Sequence, residues 1–243
     1  MGEISLFPHI YSLNETSMIV QFADKIDPNT QKNILALIDL LKTSPFPGFL
    51  ESLPSYTGVA VFYDPALVLS AEPASILSPS DRVRQLLDDY IISSKHHQLN
   101  VEPETIEIPV CYDWTLGPDL QEVADYNQLT VDDVISIHSK GSYQVYMIGF
   151  APGFPFLGGM SESIATPRKQ QPRLEIPAGS VGIAGKQTGV YPMVTPGGWQ
   201  LIGQTPLKMF DLNRDEPSLL KPGHIVRFRP ISLEEYQDLK ERD

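Results

Sequence analysis

A chain of 243 residues, 42% hydrophobic and 20% charged, is long enough for one large or two small globular units. Its net charge of −12, from 18 basic and 30 acidic residues, excludes a general nucleic-acid binder, whose affinity comes from cations set against phosphate. One cysteine, Cys111, excludes an internal disulfide and fits a reducing, cytoplasmic compartment, and neither a signal peptide nor a membrane-spanning run is expected.

In chain order, Ile4–Leu13 and Ser17–Phe22 read as strands around a turn at Asn14-Glu15. Asp27 offers an N-cap to a helix running to about Lys42, with Ile34, Leu37, Ile38 and Leu41 at helical spacing. Phe49–Leu53 and Thr57–Tyr63 read as strands. Ser80–Ser94 reads as a second helix with Val83, Leu86, Leu87, Tyr90 and Ile91 on one face. Lys95–Pro103 reads as a linker, so the expected domains are 1–100 and 101–243. Beyond it, Glu104–Tyr112 alternates as a strand, and Pro118–Asn127 forms a short helix. Thr130 with Asp133 makes a capping box for a helix over Val131–His138. From Tyr143 the chain becomes short strands and turns, with 13 of the 17 glycines between Gly141 and Gly223. That spacing predicts a closed or nearly closed barrel. Ser232–Arg242 reads as a terminal helix. The fold class is therefore α+β: a small two-layer α+β unit followed by a β-barrel.

The stretch EIPAGSVGIAGKQTGVYP, Glu175–Pro192, resembles a phosphate-binding loop but fails on spacing. Gln187 follows Gly185-Lys186 where that loop needs a hydroxyl residue, and Gly189 and Pro192 forbid the helix that should follow. Turn chemistry accounts for its glycines taken singly. The five histidines, at 9, 96, 97, 138 and 224, lack metal-ligand spacing, so no metal is expected.

Charge singles out one region. Between Ser139 and Phe210 stand six cations (Lys140, Arg168, Lys169, Arg173, Lys186, Lys208) and two acids (Glu162, Glu175). A local excess of four positive charges in an acidic chain favours an anionic ligand, unless acids elsewhere in the fold balance it. Arg168 and Arg173 are the candidates to fork onto a carboxylate or phosphate. Gln187, Thr188 and Tyr191 could orient an amide, and His138 is a candidate base. Phe150, Phe154, Phe156, Tyr191 and Trp199 could wall a pocket or fill the barrel core.

The runs VYMIGFAPGFPFLGGM and ATPRKQQPRLEIPAGSVGIAGKQTGVYPMVTPGGWQLIGQTP, with PVCYDWTLGPDLQEVA and HSKGSYQVY upstream, resemble the KipI family. The family is also called allophanate hydrolase subunit 1, or the 5-oxoprolinase B subunit (PxpB), and the likeness covers roughly Pro109–Pro206. The chain departs from the pattern at Asp113-Trp114, where the family usually has Gly-Gly, and at Gln204, where it often has arginine. The resemblance implies that the rear unit is a cyclophilin-like β-barrel. It implies one component of an ATP-dependent 5-oxoprolinase that opens 5-oxo-L-proline to L-glutamate, working with a homologous PxpC-like subunit and with a PxpA-like subunit. The alternatives it carries are inhibition of a sensor histidine kinase, or an allophanate hydrolase or urea carboxyltransferase-type role. Under that resemblance Arg168 and Arg173 hold the substrate's anionic group. Gln187, Thr188 and Tyr191 orient the lactam, and Gly182, Gly185, Lys186 and Gly189 form the side approached by ATP.

Overall fold

The structure, a computed structural model, describes residues 7–73, 76–95, 97 and 103–242. The chain divides into two compact units, Met1–Glu102 and Pro103–Asp243. The start of the first expected strand, Ile4–Leu6, and most of the expected linker lie outside the described residues.

In the first unit, strands β1 (His9–Asn14), β2 (Ser17–Gln21), β3 (Phe49–Pro54) and β4 (Gly58–Tyr63) form an antiparallel sheet ordered β1-β2-β4-β3. Helices α1 (Pro28–Thr43), α2 (Pro65–Ala71) and α3 (Pro79–Ser94) complete it. The Asp27 carboxylate accepts from the Asn29 and Thr30 amides, so α1 starts where the cap signal stands. The core joins Ile34, Leu37 and Leu41 of α1 and Val83, Leu87 and Ile91 of α3 to Val59 and Val61 of β4. Helix α2 is absent from the sequence reading. Asp64 caps it as Asp27 caps α1, but its seven residues bury only Val68, too few to show a helical period.

In the second unit, β5 (Thr105–Cys111), α4 (Leu120–Tyr126) and α5 (Val131–Lys140) precede β6 (Tyr143–Ile148), β7 (Pro155–Gly158), β8 (Arg173–Ile176), β9 (Ser180–Ala184), β10 (Gln187–Val190), β11 (Thr195–Gly197), β12 (Gln200–Gln204), β13 (Ile225–Ile231) and α6 (Leu233–Arg242). Seven of these strands close a barrel in the order β10-β7-β6-β13-β5-β12-β9, with β9 pairing back onto β10. All its pairings are antiparallel except β13 on β5, seven residues in parallel register from Ile225↔Thr105 to Ile231↔Cys111. The Thr130–Asp133 capping box forms in both directions and starts α5. Helices α4 and α5 give Leu120, Val123, Ala124 and Val134 to the barrel core, beside Ile108, Val145, Ile183 and Val226. Strands β7 and β11 give no strand signal in the sequence. Each has four residues or fewer and contains proline, which normally argues against a strand. Strand β11 pairs with β8 as a separate two-stranded sheet.

Candidate functional site

The second unit holds a cavity of about 260 Å³, lined by Phe150, Phe154, Phe156, Arg168, Tyr191, Pro196, Gly197, Gly198 and Trp199. Three segments build most of it, and Phe156 of β7 and Arg168 complete the lining. The first is the β6–β7 loop, Gly149–Phe154. The Phe154 amide donates to the Ala151 carbonyl at 3.0 Å, with Pro152 and a positive-φ Gly153 (+80°) between them, the pattern of a type II turn. That turn delivers Phe154 to the cavity. The second segment is β11 and the residues after it, tied down where the Lys169 amide donates to the Gly198 carbonyl at 2.7 Å. The third is Tyr191, just past β10. Its backbone bridges Ser180 and Gly179 at 2.9 and 2.7 Å.

The walls are aromatic edges meeting faces. Phe154 lies 5.6 Å from both Tyr191 and Trp199, at interplanar angles of 76° and 88°. Two glycines make room for Trp199. Gly182 of β9 and Gly189 of β10 are cross-strand partners, and a β-carbon on either would come within 3.1 Å of Trp199. These two glycines therefore seat an aromatic wall and do not line the cavity themselves.

The polar groups of the cavity are Arg168 and Tyr191. Arg168 is exposed and makes no hydrogen bond or ion pair among the described residues. Burial pushes the Tyr191 phenol up to about 12, against a smaller pull downward from the Trp199 amide, Arg168 and Arg173. The phenol therefore stays protonated. Its hydroxyl donates to no acceptor among the described residues, so its proton is available to a ligand.

Arg173 stands beside the cavity in another role. Its Nη2 donates to Asp119 Oδ1 at 2.8 Å, and Lys169 Nζ reaches the same oxygen at 2.9 Å and Glu122 at 2.7 Å. The second Asp119 oxygen accepts the Leu201 amide at 2.7 Å. Burial would push the Asp119 carboxyl up, but Arg173, the Leu201 amide and Lys169 hold it below the usual range. Lys186 pairs with Glu162 at 2.6 Å on the surface. The local excess of positive charge is thus largely balanced, partly by Asp119 and Glu122 from outside that stretch of sequence. Arg168, and Lys140 at the end of α5, are left without a counter-charge among the described residues, and of the two only Arg168 lines the cavity. Asp119 is the residue that sequence reasoning misses. It immediately precedes α4, where an acid reads as a cap, yet it makes no cap hydrogen bond.

The other expected site residues lie apart from the cavity lining. His138 and Thr188 are fully buried in the barrel. Thr188 Oγ1 donates to the Gly182 carbonyl at 3.0 Å, so it must accept from His138 Nε2–H at 2.9 Å. The imidazole Nδ1 then accepts from the Tyr112 hydroxyl at 2.7 Å. The ring stacks on Phe228 at 4.5 Å, and burial lowers its pKa to about 3, so it is neutral. His138 is a core histidine with both nitrogens engaged. Gln187 opens β10, and Gly185 (φ +60°) with Lys186 forms the β9–β10 hairpin turn. A β-carbon on Gly185 would meet nothing within 4 Å. At the departure from the family pattern, Asp113 accepts from the Thr115 amide at 2.9 Å, and Trp114 is 79% exposed. Gln204 donates to the Ala178 carbonyl at 2.6 Å.

Comparison with known proteins places this geometry. Residues 8–220 match the family described as "Carboxyltransferase domain, subdomain C and D". The chain is 48% identical to a 5-oxoprolinase B subunit of Bacillus subtilis (strain 168) over 96% of each chain. It is 40% identical to one from Escherichia coli O157:H7, over 90% of this chain and 94% of that one. The crystal structure of TTHA0988 superposes with a TM-score of 0.74 at 35% identity over 89% of the chain. This chain spans 40% of the length of TTHA0988. The cavity, with its free arginine and aromatic walls, lies inside the matched region of a chain that belongs to the carboxyltransferase subdomain C and D family and is a relative of the 5-oxoprolinase B subunits.

Proposed function

We propose that the chain is the B subunit of an ATP-dependent 5-oxoprolinase, and that its cavity binds 5-oxo-L-proline as part of a site completed by a homologous PxpC-like subunit and a PxpA-like subunit. The observation that carries this is the uncompensated Arg168 at an aromatic cavity of about 260 Å³. That volume is just below the ~300–1,000 Å³ of sites for drug-sized ligands, which suits a small substrate. The Arg168 guanidinium forks onto the substrate carboxylate. The Tyr191 hydroxyl donates to the lactam oxygen, where negative charge grows as the ring carbon is attacked. Phe154, Tyr191 and Trp199 flank the flat ring and exclude water, which strengthens both polar contacts.

The glycine-rich hairpin does not fit a nucleotide. Its glycines seat Trp199 or turn the chain, and Lys186 already has a carboxylate partner. We assign ATP to the partner subunits. The test is reconstitution with the PxpA-like and PxpC-like subunits, measuring glutamate released from 5-oxo-L-proline with ATP. Arg168→Ala should lower kcat/KM at least ~100-fold, the scale of a lost charge-assisted contact, with Arg168→Lys in between. Because Arg168 is exposed and unpaired, its loss should move stability by no more than ~0.5 kcal/mol. Wild-type activity in Arg168→Ala would remove this cavity from the reaction.

A further inference from the structure

We propose that Phe150 is a specificity-determining residue of the cavity, its ring the outer wall against the ligand and its strained backbone kept for that purpose. The proposal rests on the cavity being a ligand site, as argued above. Phe150 has φ +66°, a region that L side chains rarely adopt. The Ala151 amide donates to the Gly149 carbonyl at 2.7 Å across it, which closes a γ-turn of the rare positive-φ hand. Glycine would take this conformation without strain, and the same loop does use glycine at its other positive-φ position, Gly153. The only other described non-glycine residue with positive φ, Gln128, sits just after the end of α4, where helices ordinarily use that conformation.

Packing does not account for the phenylalanine either. Phe150 is 71% exposed, and its ring meets Phe154 edge-on at 5.4 Å. A large apolar side chain is held in a costly backbone conformation, largely in solvent, on the lining of an aromatic cavity. Strain of this kind persists where the surrounding structure enforces it, and it concentrates at ligand sites. The same cavity is lined by the buried Tyr191 and Trp199 and by the free Arg168. A flat ring carrying a carboxylate would lie against the buried aromatics, with the exposed ring of Phe150 limiting the room on its solvent side. The structure therefore favours thin, planar, anionic ligands, and bulkier ones are refused by the ring of Phe150.

The chain has two tryptophans, so a Trp114→Phe background leaves Trp199 as the reporter of cavity occupancy. Its fluorescence is titrated with 5-oxo-L-proline and, separately, with benzoate, a flat carboxylate unrelated to the reaction. Phe150→Ala should weaken binding about tenfold, Phe150→Tyr should retain it, and Phe150→Gly should weaken it as Ala does. Phe150→Gly should also melt ~2 °C above Phe150→Ala, because glycine relieves the turn. In the reconstituted assembly, Phe150→Ala should narrow the preference for the five-membered lactam carboxylate over its six-membered homologue, an effect that a purely structural residue would not produce. A response to benzoate alone, lost in Phe150→Ala, overturns 5-oxoproline as the ligand and supports the role of Phe150. Silence of Trp199 to both ligands, unchanged affinity in Phe150→Ala, or no difference in melting between the Gly and Ala variants overturns the proposal.

Discussion

Around His138 both ring nitrogens, the Thr188 hydroxyl and the Tyr112 hydroxyl all have partners, whereas around Arg168 the strongest donor has none among the described residues. Both groups lie in the same unit, and each contains residue types found in catalytic sites. They differ in how their hydrogen-bonding capacity is used. The His138 chain is closed and dry, from the Tyr112 hydroxyl through imidazole and threonine to the Gly182 carbonyl. Such a network fixes a core and has nothing left for a ligand. The cavity keeps a free guanidinium and a phenol proton facing aromatic walls. Residue identity does not separate the two constellations, but the accounting of partners does.

The largest break in this comparison comes at Asp119, which ties together Arg173, Lys169 and the Leu201 amide. Asp119→Ala would leave Arg173 without its carboxylate and Lys169 with Glu122 alone, and would orphan the Leu201 amide. Removing one partner from a buried ion pair costs ~3–5 kcal/mol. The two cations keep part of their hydration, so the lower end, about 3 kcal/mol, is expected in urea unfolding at pH 7. A cost below about 1 kcal/mol would show that Asp119 does not hold these groups together.

His138 should matter nearly as much to stability at neutral pH, and in a way that varies with pH. Its imidazole titrates near ~6.5 when unfolded and near about 3 in the fold. A depressed pKa means that the unfolded chain takes up a proton before the native one does. Stability from the neutral ring is therefore complete above pH ~6.5 and is lost as pH falls toward 3, by ~1.4 kcal/mol per pH unit. His138→Leu should cost ~2–3 kcal/mol at pH 7 by orphaning the Tyr112 hydroxyl and removing a donor to Thr188. The gap between wild type and variant should close by about pH 5, with glutamate release per folded molecule unchanged. A gap that stays constant with pH would refute a neutral buried imidazole.

Legibility followed the physics of each element. Helices α1 and α3 can be read because each carries an apolar period over 16 residues and a side-chain cap. The barrel can be read as a barrel from evenly spaced short strands, while β7 and β11 are too short and too rich in proline. At the site, Arg168 and Tyr191 stand out as a cation and a donor among glycines and aromatics. Arg173 looks the same in sequence, but Asp119, 54 residues away, engages it, and no local pattern announces that pairing. His138 and Thr188 are 50 residues apart, and only the closed barrel reveals that they satisfy each other. Polar residues are judged by their partners, and long-range partners are what a single sequence leaves out.

The smallest expected effect tests the stretch that most resembles a nucleotide loop. Lys186 and Glu162 form an exposed pair on the hairpin turn, with side chains 69% and 74% accessible. Exposed pairs of this kind contribute ~0–1 kcal/mol and weaken with salt. Lys186→Ala should therefore shift stability by under ~0.5 kcal/mol. In the assembled enzyme it should leave the KM for ATP within about twofold and the KM for 5-oxo-L-proline unchanged. The reasoning is geometric: a lysine that grips phosphates needs a ring of backbone amides around the same anion, followed by a helix N-terminus. Here the chain continues directly from Lys186 into β10, and the nearby glycines Gly182 and Gly189 are packed under Trp199. A rise of about tenfold or more in the KM for ATP, with the lactam KM unmoved, would place the nucleotide on this hairpin and reverse its assignment to the partner subunits.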